Sequence, residues 1–145
     1  EKLVALAALS PMVASIGGNA GTQTMAVAVR ALATNQLTRA NTGRILLREF
    51  RVALLNGVTV ATLIGVATTL VFANPLLGAV IATAVMVNIV TAGLAGVIVP
   101  VLFDRFDQDP AVASSVFVTM ITDSMGFFAF LGLATVLLKH LGGAG

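Results

Sequence analysis

The charges of this chain are confined to short clusters, and the stretches between those clusters decide what it can fold into. No charged residue lies between Lys2 and Arg30, none lies between Arg51 and Asp104, and only Asp123 lies between Asp109 and Lys139. A bilayer core about 30 Å thick takes about 20 apolar residues per helix. The 52 residues from Val52 to Phe103 therefore hold two spans, with Asn74-Pro75 as the turn between them. The same reasoning gives helices over Leu3 to Leu32, Phe50 to Phe72, Pro75 to Phe103 and Pro110 to Leu138.

Composition agrees: 58% of residues are hydrophobic and 10% are charged, against about 25% charged in ordinary globular domains. The apolar runs are continuous and do not alternate over ~10-residue segments, which argues against a membrane barrel. The expected fold is all-α, a polytopic transmembrane helix bundle with four membrane helices, forming one domain over residues 1–145. The run from Leu3 is too long and too interrupted by polar residues for the 7–15-residue core of a signal peptide. A start at Glu1 in place of Met suggests a fragment of a longer protein.

Orientation follows from the arginines, because short loops rich in Lys and Arg stay cytoplasmic. Arg39, Arg44, Arg48 and Arg51 follow the first helix, with Arg30 just before them, while the Asn74-Pro75 turn carries no charge. The Arg-bearing side and Asp104 to Asp109 are thus assigned to the cytoplasm, and Glu1 and the Lys139-His140 tail to the outside. The basic residues flank spans and lack an aromatic platform, so a nucleic-acid partner is not indicated.

Several function classes drop out on residue identity. The chain has no cysteine and one histidine, which removes disulfides, thiolate sites and soft-metal ligand sets. The glycines lack the Gly-Lys pair of a phosphate-binding loop. No nucleophile, base and orienter set argues for catalysis, so an enzyme is not expected.

Asp123 is the one carboxylate within a run that otherwise reads as spanning helix. A mid-helix Asp costs about 2.5–3.5 kcal/mol on insertion scales, and such groups mark ion or proton paths. Ser115, Thr119 and Asp123 recur every four residues and share a helix face. In the first helix, residues 17–24 read Gly-Gly-Asn-Ala-Gly-Thr-Gln-Thr. Two readings stand. Gly17 and Gly21 permit a close helix crossing glued by interhelical hydrogen bonds; alternatively the helix is broken near Gly17 and its carbonyls, Asn19 and Gln23 line a path. Asn88 and Thr91 in the third helix, with the small pair Ala92 and Gly96, read as interhelical glue or back-bonds to their own helix.

The run Gly17 to Thr24 followed by Val29-Arg30-Ala31-Leu32 resembles the second membrane helix of the MgtE family of magnesium transporters. So do Gly96 to Leu102, Asp109-Pro110-Ala111, and Thr119 to Asp123 with Gly126-Phe127. The resemblance implies a homodimeric Mg²⁺ channel or transporter with five membrane helices per subunit and a pore between subunits. This chain would supply the last four; the first helix and the cytosolic magnesium-sensing domains would be absent. By the same resemblance Asp123 is the acidic residue that binds the ion, Asn19 lies in the matching polar run, and Thr119 and Ser115 line the path. The protein would then be a multi-pass protein of the cell membrane.

The chemistry fits. Mg²⁺ demands octahedral oxygen geometry, keeps several waters and is held by one or two carboxylates. A two-fold axis supplies the second carboxylate from one residue per chain. The rival mechanism is a proton-coupled cation carrier in which Asp123 takes up and releases the proton. A third reading makes Asp123 a packing residue in a structural module. The remaining charged and aromatic residues have plainer roles: Asp104, Asp107 and Asp109 form a solvated loop, with a cation-attracting vestibule as the alternative, Asp109-Pro110 starts the last helix, Arg48, Glu49 and Arg51 anchor a helix start, and Phe127, Phe128 and Phe130 pack or face lipid.

Overall fold

The computed structural model describes the backbone of residues 2–142 and the side chains of residues 7–112 and 114–137. Four helices account for almost all of it: α1 (Lys2–Ala33), α2 (Thr42–Phe72), α3 (Pro75–Arg105) and α4 (Pro110–Gly142). No strand occurs among the described residues, so the fold is all-α. The Glu1 terminus and the side chains of Lys139 and His140, assigned to the outside above, lie outside the described residues.

Local chemistry explains where the helices stop. Asn35 adopts the left-handed region (φ 57°), with its N–H donating to Leu32 O at 3.1 Å while Gln36 N–H reaches Ala31 O at 2.8 Å. That pair of bonds is a Schellman termination, with Asn in the position glycine usually fills. Asp107 (φ 54°) ends α3 in the same way, with Gln108 N–H donating to Phe103 O at 2.9 Å. Asn74 caps α3: its Oδ1 accepts from Leu76 N–H and Leu77 N–H, both at 3.1 Å. Pro75 takes the first helical position, where its missing N–H costs nothing. Asp109 Oδ1 accepts from Ala111 N–H at 2.9 Å ahead of α4.

α2 begins at Thr42, eight residues before the expected Phe50. The connection is shorter because Asn41 organises it, its Oδ1 accepting from Thr38 N–H at 2.8 Å and its Nδ2 donating to Gln36 O at 2.7 Å. Arg44, Arg48 and Arg51 consequently ride on the exposed side of the first turns of α2, and Arg39 alone of the four stands in the loop. α4 continues past the expected Leu138 to Gly142.

α3 is the hub. It is apolar around most of its circumference, as a helix enclosed by others must be, and it packs against α2 on one side and against α1 and α4 on the other; α1 and α4 also pack together. A core of Val13, Ile81, Val85, Ile89 and Phe130 lies toward the Asn74 end, and a smaller one of Ala28, Leu37, Val97 and Val101 lies at the Arg-bearing end. Small residues set the crossing distances. A Cβ at Gly96 would stand 2.9 Å from the Gly21 carbonyl oxygen, so the two small pairs of α1 and α3 meet backbone to backbone.

Among the described residues, three helices are long and apolar enough to cross a membrane: α2, α3 and residues Ser114–Leu137 of α4. Four were expected; residues 7–33 of α1 fall short because the polar run from Ser15 to Thr24 dilutes them, and the apolar start of the expected first span, Leu3 to Leu6, lies outside the residues whose side chains are described. Of the two readings of the glycine run, the broken helix does not form, since α1 is helical without interruption from Lys2 to Ala33. The glycines serve the crossing reading: they let neighbouring helices approach closely while the backbone of α1 stays helical.

Candidate functional site

The expected site residues of α1 and α4 do not point into a sealed core. Ser15, Asn19, Gln23 on α1 and Thr119 on α4 are exposed, and Ser115 and Asp123 are half-buried. Lipid is a poor solvent for such a surface. Where α1 and α4 pack, Asp123 leans over Gly18: a methyl group at Gly18 would sit 3.9 Å from Asp123 Oδ1 and 3.8 Å from Thr122 Oγ1. No hydrogen bond or ion pair reaches the Asp123 carboxylate from any described residue. The carboxylate is therefore open to a ligand on the outer face of the α1–α4 seam.

The neighbouring hydroxyls are mostly turned to their own helices. Thr22 Oγ1 donates to Gly18 O at 3.0 Å and Asn19 O at 3.1 Å. Thr122 is fully buried and donates to Thr119 O at 3.1 Å. Thr91 back-bonds to Val87 O at 2.9 Å, one of the two roles expected of it. Asn88 takes the other: fully buried at the junction of α1, α3 and α4, it donates Nδ2 to Val13 O at 2.8 Å. Its Oδ1 and the Ser114 hydroxyl have no hydrogen-bond partner among the described residues.

Asn19 follows Gly18 by about 100° around α1 and lines a different feature, a cleft of about 370 Å³ between α1 and α2 over α3. Asn19, Gln23 and Thr24 line it from α1, Glu49 and Asn56 from α2, and Gly93 forms part of its floor. Gly93 is needed there because a Cβ would meet the Ala53 Cβ at 2.8 Å. The structure thus groups Ser115, Thr119 and Asp123 along α4 and places Asn19 with Glu49. Sequence reasoning made Glu49 an anchor and passed over Asn56. The signal was present in the spacing of Glu49, Ala53, Asn56 and Val60, which is one helix face. Among the described residues no three His, Cys, Asp or Glu side chains gather into a metal-binding group.

A bundle of long apolar helices carrying one unpaired carboxylate on a polar outer seam defines an integral membrane protein of the kind that handles a polar solute. Residues 10–133 match the family model MgtE, divalent cation transporter, and the chain belongs to that family. It is 31% identical over 141 residues to the magnesium transporter MgtE of Bacillus subtilis, covering 97% of this chain and 31% of that protein. Identity is 35% over 135 residues with the magnesium transporter MgtE of Enterococcus faecalis, covering 93% and 30% respectively. It is 34% over 139 residues with that of Thermus thermophilus, covering 96% and 31%. The chain spans less than a third of the length of each of these relatives.

Proposed function

We propose that this chain is the ion-conducting part of a Mg²⁺ transporter of the cell membrane, in which two copies apply their α1–α4 seams to one another and the paired Asp123 carboxylates hold a largely hydrated ion. The observation that carries this reading is the half-buried, unpartnered Asp123 carboxylate beside Gly18. One carboxylate per chain is a weak site for a divalent ion; a two-fold axis doubles it without a second acid in the sequence. Mg²⁺ retains several waters and accepts one or two carboxylates, so Thr119 and Ser115 serve as acceptors for its water. Outer-sphere binding of this kind is loose enough to let the ion leave. The names of the three relatives support the choice of Mg²⁺.

The test is Mg²⁺ flux into liposomes holding the full-length protein, with a membrane potential and no pH gradient. Wild type conducts and Asp123→Asn loses most of the flux. Equal flux in the two proteins removes Asp123 from the path. Flux that appears only when a pH gradient is imposed converts the reading to a proton-coupled carrier.

A further inference from the structure

The α1–α2 cleft holds a second set of oxygen atoms that the Asp123 reading does not use. We infer that it binds a hydrated divalent cation, with the Glu49 carboxylate as its charged ligand and the carboxamide oxygens of Asn19, Gln23 and Asn56 accepting hydrogen bonds from the ion's water. The choice of ion class rests on the transport reading above; the site rests on the cleft.

Four observations converge. Glu49 is half-buried and forms no ion pair with any described residue. Arg48 and Arg51 lie on other faces of α2 and are exposed, and Arg30, about one turn nearer the loop on α1, does not pair with it either. A partly buried negative charge on a membrane helix without a protein partner, facing a cleft, is a candidate cation ligand.

Size is the second. Six waters take up about 180 Å³ at about 30 Å³ each, and the cleft's volume of about 370 Å³ admits an ion with that shell. The third is ligand type: the polar side chains lining it offer oxygen and amide groups and no sulfur or imidazole, the donor set of a hard cation that keeps its water.

Depth is the fourth. At 1.5 Å per residue, Glu49 stands about 10 Å from the Thr42 end of α2, and Asn19 and Asn56 each stand about 21 Å from the shared α1–α2 end. Asp123 lies about 20 Å from the Pro110 end of α4, on the same side of the bundle. The cleft therefore runs from the Arg-bearing side down to the level of Asp123, the position of a loading site for an ion exchanging with the seam.

The experiment is Mn²⁺ binding to the purified full-length protein in detergent, read by electron paramagnetic resonance and competed with Mg²⁺. Any Mn²⁺ held elsewhere is common to all the proteins compared and cancels. Glu49→Gln weakens one class of site by at least about tenfold, the cost typical of removing a ligand-shell partner, and leaves the class lost in Asp123→Asn. Asn56→Leu, at an exposed position that retains the charge, weakens the same class as Glu49→Gln by a smaller factor. Titrations of Glu49→Gln and Asn56→Leu that superimpose on wild type overturn the proposal, as does an Asp123→Asn protein that loses both classes together. If Glu49→Gln does not fold, Asn56→Leu decides alone, in either direction. Loss of the Glu49 class with no effect of Asp123→Asn leaves the cleft site standing and removes the seam reading.

Discussion

Asn88 Nδ2 donates to the Val13 carbonyl oxygen at 2.8 Å, tying α3 to α1 where both also meet α4. The carboxamide fits only because two glycines make room. A Cβ at Gly17 would collide with it, and one at Gly126 would stand 2.8 Å from its Nδ2. This clamp fixes α1 against α4 one residue before Gly18 and three after Asp123, so it sets the geometry of the seam without touching an ion.

Gly17→Ala should therefore destabilise the protein by about 1–3 kcal/mol, the usual cost of overpacking, and Asn88→Ala should relieve part of that loss in the double variant. Thermal unfolding of the four proteins of this cycle measures it. Additive effects would show that the two residues do not share the space.

Glycines elsewhere differ by what surrounds them. Gly96→Ala meets backbone at 2.9 Å and Thr24 Cβ at 2.8 Å, whereas nothing lies within 4 Å of a Cβ at Gly132. Gly96→Ala should lower stability by about 1–3 kcal/mol, and Gly132→Ala should be neutral or raise it by up to about 1 kcal/mol through helix propensity. Melting temperatures in one detergent decide the order.

The α2–α3 hairpin depends on Asn74, which accepts two backbone hydrogen bonds at once. Asn74→Ala should cost about 0.5–2 kcal/mol, the range for losing an N-cap, and Asn74→Asp should recover most of it. Hydrogen exchange at Leu76 and Leu77 reports the change locally, and protection equal to wild type in Asn74→Ala would contradict it.

Gly18 separates folding from transport. The atoms facing it stand at 3.8 and 3.9 Å, ordinary contact, so Gly18→Ala should fold and melt near wild type. Gly18→Leu brings a larger side chain against the Asp123 carboxylate and should lower Mg²⁺ flux with the bundle still assembled. Wild-type flux in Gly18→Leu would place the ion path away from this seam.

The all-α class, three of the four spans, the turn at Asn74 and the start of α4 at Asp109 were legible because each rests on local chemistry: charge-free length, capping and backbone preference. The start of α2 was not, since the arginines that read as loop are solvated along one side of a helix, and only the Asn41 bonds show where the turn ends. The interhelical role of Asn88 was among the readings of its residue type at that depth; its partner, Val13, lies 75 residues away and could not be read. The family resemblance joined Asn19 and Asp123 in one site; within one chain Gly18 faces α4, while Asn19, one residue on, lines the cleft toward α2.

By itself the sequence determined that this chain is a membrane helix bundle of the MgtE family with one carboxylate at depth, because apolar length, caps and motif order are properties of neighbouring residues. Which helix sits at the centre, which glycines are crossings, and whether Glu49 faces lipid or a polar cleft were decided only by the tertiary structure. Those depend on how far each helix is rotated about its axis when it packs, and a rotation of about 100° per residue changes a side chain's neighbours completely without altering a single local preference.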